Sequence, residues 1–231
     1  TVGPITHTCG HWSVVDRRRE LKDQIGVTSE EVSMNVEPCE TIPAMANKLL
    51  LASVGSAGPT GRSYWVVEDR FAAGAYPGGK DRGHLESVPE VTERLLGAGI
   101  DRFVNLTQDY RGGTDGHLNR YDADVGHAAD VDRFPIRDLD VPSVEEMVTI
   151  LDHVDFQLDD GRTVYVHCWG GVGRTGTVVG CWLIRHGYAT RDDVMDVIGD
   201  LRLGDFGTGL TRLSPETPTQ WSFLSDWELS Y

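Results

Sequence analysis

The run Val164-Tyr165-Val166-His167-Cys168-Trp169-Gly170-Gly171-Val172-Gly173-Arg174-Thr175-Gly176 decides the fold. Residues 163–166 are β-branched or aromatic, which suits a buried strand, and the glycines after Cys168 stop it abruptly. A helix is expected to begin near Arg174 and run through Val178, Val179, Trp182 and Leu183 to an end at Gly187, with Gly176 and Gly180 letting it approach the sheet. The loop 168–174 would then wrap a helix N-terminus, where unpaired amides and the positive end of the dipole attract an oxyanion. Such a nest needs backbone freedom, which Gly170, Gly171 and Gly173 supply.

The same field favours a thiolate. A free thiol titrates near about pH 8.5, and a helix N-terminus with a nearby cation lowers that by several units. Cys168 is therefore the candidate nucleophile at neutral pH. Arg174 carries a planar fork that matches two phosphate oxygens and follows their charge into a transition state better than lysine does. Thr175 can donate its hydroxyl to the thiolate, and His167 orients the loop by hydrogen bonding rather than moving protons. Trp169, Gly170, Gly171, Val172, Gly173 and Arg174 form the expected phosphate-binding set.

With His-Cys, five residues, then Arg followed by Thr, the run resembles the cysteine-dependent protein tyrosine and dual-specificity phosphatase superfamily at His167, Cys168, Arg174 and Thr175. Cys-x5-Arg loops also occur in rhodanese-like sulfurtransferases and arsenate reductases, which explain His167 and Thr175 less well. The plainer alternative is a buried structural cysteine before a glycine-rich turn. The resemblance implies a phosphomonoester hydrolase working through a phosphocysteine intermediate, with no cofactor and no metal. It also implies a general acid about thirty residues before the cysteine, on a loop between a strand and a helix. Phe134-Pro135-Ile136-Arg137-Asp138-Leu139-Asp140-Val141-Pro142-Ser143 looks like that loop, and Asp138 lies 30 positions before Cys168. Asp140 competes, although the family pattern of Pro-Ile-x-Asp favours Asp138. Ser143 with Glu146 reads as a capping box, followed by an apolar stripe of Val144, Met147, Val148, Leu151, Val154 and Leu158. Late in the chain, 216–223 is similar to the Gln-Thr-x-x-Gln-x-x-Phe loop that orients the hydrolytic water. Gln220 matches its second glutamine, while Glu216 departs from the first. An ordinary helix start with Trp221, Leu224 and Trp227 as core contacts explains the same residues.

From residue 64 the order reads strand 65–68, strand 71–75, helix 88–96, strand 102–106, strand 133–136, helix 144–158, strand 164–167 and three further helices. This alternation predicts an α/β fold with a central mixed, mainly parallel sheet flanked by helices, the ligand lying at the strand C-terminal ends. Residues 1–62 read as an N-terminal extension of unknown role and 63–231 as one phosphatase-like domain. Within it, 107–132 is a long glycine- and aspartate-rich connection, in which Tyr110 and Arg111 could touch substrate and Asp122, Asp124, Asp130 and Asp132 could bind a cation, or simply be solvated. Tyr76-Pro77-Gly78-Gly79 would border the pocket. His7, Cys9, His11 and Cys39 are ligand types that zinc prefers, at spacings that chance also produces.

The 231 residues carry 21 Lys and Arg against 36 Asp and Glu, a net charge of -15, of which the first 62 residues hold -1 and the remainder -14. That field repels nucleic acids and anionic membranes, so neither is expected as a partner. The phosphate loop has no basic residue besides Arg174, which favours a singly phosphorylated substrate, either a phosphoprotein or a small phosphomonoester such as an inositol or nucleotide phosphate. A phosphate-recognition module that does not turn over would keep the same loop. The aspartate excess suggests a salt-adapted or high-GC source. Four cysteines are too few for a disulfide framework, with Cys181 a packed small residue, and no apolar run reaches a membrane span. Nothing at Thr1 resembles a secretion signal, and a cytoplasmic location suits a catalytic thiol.

Overall fold

A computed structural model describes residues 49–78 and 88–228. Five strands, β1 (Ser63–Val67), β2 (Phe71–Ala75), β3 (Arg102–Asn105), β4 (Asp130–Arg133) and β5 (Val164–Cys168), form one sheet in the order β1-β2-β5-β3-β4. β5 pairs in parallel with β2 and β3, β3 pairs in parallel with β4, and β1 alone runs antiparallel to its neighbour. The expected mixed, mainly parallel sheet is therefore present. Its central strands Phe-Ala-Ala-Gly-Ala and Val-Tyr-Val-His-Cys are buried along their whole length, as strands covered on both faces must be. The edge strand β4 reads Asp-Val-Asp-Arg, and its charges discourage pairing with another chain.

The fourth strand lies earlier than the 133–136 expected. Pro135 has no amide to donate to a ladder, so the regular pairing ends at Arg133. Phe134 and Ile136 still donate to the carbonyls of Asn105 and Leu106, at 3.0 Å each, and deliver the chain to the acid loop.

Six helices follow among the described residues: α1 (Val88–Gly97), α2 (Asp122–Val125), α3 (Val144–Asp159), α4 (Gly173–Arg185), α5 (Val194–Arg202) and α6 (Pro218–Asp226). α4 is buried from Gly173 through Ile184 and packs against α3, α5 and α6 as well as the sheet. The approach permitted by its glycines is not to the sheet, as the sequence suggested. A Cβ on Gly176 would fall 2.0 Å from Ser214 Oγ and one on Gly180 2.7 Å from Leu224 Cδ2, so these positions admit the chain after α5 and α6 itself.

Residues 49–62, which the sequence reading assigned to an N-terminal extension, belong to the same compact unit as the sheet and lie against it. Leu51 and Ala57 form isolated bridges with Val67 and Tyr64, and the Ala52 amide donates to the Val66 carbonyl at 3.0 Å. The readings made for His7, Cys9, His11 and Cys39 lie outside the described residues. No helix among the described residues is long and apolar enough to cross a membrane.

Candidate active site

The parallel pairing of β5 with both neighbours places Cys168 at the C-terminal end of the central strand, 2% exposed. The chain then turns through the glycine loop into α4. Gly171 adopts φ +70°, and a Cβ there would lie 2.4 Å from the Gly74 carbonyl carbon, so this position demands glycine. α3 and α6 begin with full capping boxes, Ser143 with Glu146 and Thr217 with Gln220. α4 has Val172 as its N-cap and no side-chain cap. Among the described residues no group accepts from the amides of Gly170, Gly171 or Val172, so they remain for an anion.

Arg174 is buried, and its two terminal nitrogens make four hydrogen bonds. Nη1 donates to Asp115 Oδ2 at 2.7 Å and to the Ile136 carbonyl at 3.0 Å; Nη2 donates to Asp115 Oδ1 at 3.0 Å and to Asp138 Oδ1 at 2.8 Å. A buried guanidinium is costly to leave uncompensated, and the two-pronged pairing with Asp115 meets that requirement. Burial works to raise the pKa of Asp115, but hydrogen bonds and charge from Arg174 outweigh it and hold the carboxyl below the usual range. Burial opposes the charge on Arg174 in turn, and Asp115 overcomes it.

The structure brings Asp138 to this cluster and not Asp140. Asp138 meets Arg174 and lines the pocket, its amide donating to Thr114 Oγ1 at 3.1 Å. Exposed Asp140 accepts from the Val141 amide at 3.0 Å in its own turn. Between them Leu139 takes φ +64°, a left-handed conformation uncommon for a branched side chain. Thr175 is buried, and its hydroxyl finds no partner among the described residues. His167 is fully buried, with Nε2 2.5 Å from Tyr121 Oη and Nδ1 3.4 Å from the Cys168 carbonyl. Burial lowers its pKa to about 3, so the ring is neutral and bridges Tyr121 to the loop.

Gln220 is also buried. Its Oε1 accepts from the amides of Glu216 and Thr217, and its Nε2 donates to the Asp140 carbonyl at 3.2 Å, which ties α6 to the acid loop. The side chain that reaches the cavity from this segment is Glu216. A cavity of about 180 Å³ is lined by Asp138, Leu139, Cys168, Trp169, Gly170, Arg174, Arg212 and Glu216. Arg212 Nη2 pairs with Glu216 Oε2.

Other candidates are placed elsewhere. Tyr110 and Arg111 are exposed and do not line this cavity. Asp122 pairs with Arg133 and Arg120, and Asp130 and Asp132 pair with Arg102, so arginines take three of the four charges proposed for a cation, while Asp124 is exposed. Among the described residues no group of three metal-ligating side chains forms. Tyr76 lies behind the loop, where its hydroxyl donates to Asp109 at 2.9 Å and its ring meets His167 edge-on. Cys181 is buried and free, its thiol pushed up by that burial. Sequence reasoning missed Asp115, Tyr121 and Arg212. The one available signal was that a buried Arg174 must have a carboxylate partner, and the aspartate-rich 107–132 loop offered too many.

A family model described as a polymorphic toxin system DSP-PTPase phosphatase matches residues 78–188. An uncharacterised protein of Methanocaldococcus jannaschii is 48% identical over 48 residues, 21% of this chain and 33% of that protein. The chain thus spans about a third of the length of the first curated relatives it matches. Cyclin-dependent kinase inhibitor 3 of Sus scrofa is 27% identical over 160 residues, 66% of this chain and 68% of that protein. A crystal structure of Tk-PTP in its active form superposes with a TM-score of 0.50 at 26% identity, covering 69% of this chain and 91% of that one.

Proposed function

We propose that the chain acts as the cysteine-dependent protein tyrosine and dual-specificity phosphatases it resembles do, hydrolysing phosphomonoesters through a phosphocysteine on Cys168. The observation that carries this reading is the convergence of Cys168, Arg174 and Asp138 on one cavity at the uncapped head of α4. The substrate phosphoryl group takes the place of Asp138 on Arg174 Nη2, while Asp115 keeps the guanidinium in position. Sulfur attacks phosphorus, the bond to the leaving oxygen breaks, and Asp138 gives that oxygen a proton. Water then attacks the phosphocysteine, the S–P bond returns its electrons to sulfur, and Asp138 accepts the proton. Arg174 and the loop amides hold the three equatorial oxygens throughout, so prepositioned charge supplies most of the acceleration. Thr175, whose hydroxyl has no partner among the described residues, donates to the departing thiolate, and neutral His167 holds the loop.

A volume of about 180 Å³, the liquid share of roughly six waters, houses the phosphoryl group and the first atoms of the leaving group. A phosphorylated protein side chain, with the rest of the partner outside, fits it. The acidic surface disfavours nucleic acids and anionic membranes as partners, and a reducing cytoplasm suits the thiol. The match of residues 78–188 to a polymorphic toxin system phosphatase supports a toxin setting for this activity.

Hydrolysis of p-nitrophenyl phosphate in EDTA, compared with Cys168→Ser and Asp138→Asn across pH 5 to 8, tests the reaction. Turnover is expected to vanish in the first variant and to lose assistance to the leaving group in the second. Growth arrest on expression, relieved by Cys168→Ser, tests the setting. A wild-type protein that binds phosphate analogues without turnover refutes the hydrolase and leaves a recognition module.

A further inference from the structure

The Arg212–Glu216 pair lines the cavity but takes no part in the reaction above, and it lies outside the 78–188 span of the family match. We propose that Arg212 forms a second anion subsite beside the phosphoryl site. It takes a further phosphate or carboxylate carried by the same substrate, and Glu216 stands in for that anion in the free protein. This rests on the phosphatase reading and names the substrate class: phosphomonoesters with an additional negative group close to the ester.

The base of Arg212 is rigidly mounted. Its carbonyl accepts from Arg202 Nη1 at 2.6 Å and its amide donates to the Thr208 carbonyl at 3.0 Å. Buried Arg202 donates to Thr208 Oγ1 at 2.9 Å, and that hydroxyl donates to Asp205 at 2.6 Å. Asp205 meets Arg62 at 3.5 Å, and Arg62 Nη2 donates to the Gly170 carbonyl at 3.0 Å, so the network returns to the phosphate loop itself. Two residues on, Ser214 Oγ donates to the Val172 carbonyl at 2.7 Å. The guanidinium is thereby held beside the loop: Nη1 lies 3.7 Å from where a Cβ on Gly170 would be.

The tip is exchangeable where the base is not. The side chains of Arg212 and Glu216 are 34% and 23% exposed, and ion pairs reached by water contribute little net stability, so an incoming anion displaces the carboxylate readily. The fork of Arg212 suits carboxylate and phosphate oxygens alike. The repulsive net charge of the chain is screened beyond about 8 Å at physiological salt, whereas this cation acts in contact. The expectation drawn from a loop with no basic residue besides Arg174, a substrate whose single phosphate is its only anionic group, therefore changes. The loop is neutral, but the segment after α5 adds the missing cation.

The test is selectivity within each enzyme: kcat/KM for an Asp-Glu-phosphotyrosine peptide over that for Ala-Ala-phosphotyrosine, and for an inositol bisphosphate over a monophosphate. Wild type is expected to favour the more anionic member of at least one pair about tenfold, the charge-assisted contact being worth that factor. Arg212→Met should bring the ratio near one, and Glu216→Gln should raise it above wild type. Preference in the peptide pair assigns the anion to a substrate carboxylate, and preference in the inositol pair to a second phosphate. Should turnover be absent, the same ratios taken from dissociation constants of Cys168→Ser judge the subsite apart from the hydrolase. A wild-type ratio near one in both pairs, or one that Arg212→Met leaves unchanged, overturns the proposal.

Discussion

Replacing Asp115 with asparagine isolates the contact that places the proposed phosphate-binding arginine. The Arg174 and Asp115 side chains are 1% and 0% exposed, and both carboxylate oxygens accept from the guanidinium. Asp115→Asn keeps the shape but retains one acceptor, turns an amide against the donors of Arg174, and leaves its charge to the partly exposed Asp138. Removing one partner of a buried pair costs about 3–5 kcal/mol; with one hydrogen bond kept, the lower end applies. For a domain of this size that corresponds to a fall in Tm of about 6–12 °C. An Arg174 displaced by about 1 Å would also lower kcat/KM by on the order of a hundredfold. Urea and thermal unfolding give the first quantity, and p-nitrophenyl phosphate kinetics give the second. Asp138→Asn serves as the control, because its pair with Arg174 is 30% exposed on the carboxylate side and should contribute little to stability. A Tm within 2 °C of wild type together with activity within about threefold would refute the assignment of Asp115 as the residue that positions Arg174. Because Arg174 holds the pKa of Asp115 down, its contribution is present above the ordinary carboxylate range and disappears as pH falls through the lowered value.

Gly171→Ala should lose about 2 kcal/mol or more, from its φ of +70° and the 2.4 Å approach to β2. Gly170→Ala, whose Cβ would meet nothing nearer than Arg212 Nη1 at 3.7 Å, should stay within about 1 kcal/mol; equal losses would contradict the packing described. His167 titrates at about 3 in the folded chain, whereas the unfolded value is about 6.5, so the unfolded chain takes up the proton first. Stability should therefore fall as pH drops below about 6.5, with a slope approaching 1.4 kcal/mol per pH unit. His167→Gln should flatten that slope between pH 6.5 and 5.5, measured by urea unfolding, and an unchanged slope would mean that His167 is not buried neutral.

The candidate loop was legible because its signal is local. Strand, turn and helix start are set by neighbours within about a dozen residues, and Cys168, Arg174 and the glycines all belong to that one run. The capping box at Ser143 was legible for the same reason. The extent of β4 was less so, because Phe134 and Ile136 bond to β3 in a way that only the pairing reveals. The reading of Gly176 and Gly180 erred about their partner: a missing Cβ announces a close approach without saying what approaches.

By itself, then, the sequence determined the α/β order, the strand that leads to Cys168 in a mainly parallel sheet, and the glycine-rich turn proposed as an oxyanion nest, all consequences of periodicity and backbone freedom. The tertiary structure decided which of many carboxylates and arginines serve that nest: Asp115 and Asp138 on Arg174, and Arg212 with Glu216 at its side. The physical reason is that Coulomb and hydrogen-bond energies act through space, over a few ångströms, between residues as far apart in the chain as 115 and 174. No sequence spacing encodes that distance; the packing of α4 on the sheet places Arg174, and the Gln108 amide donating to Asp115 Oδ2 at 3.0 Å holds the carboxylate.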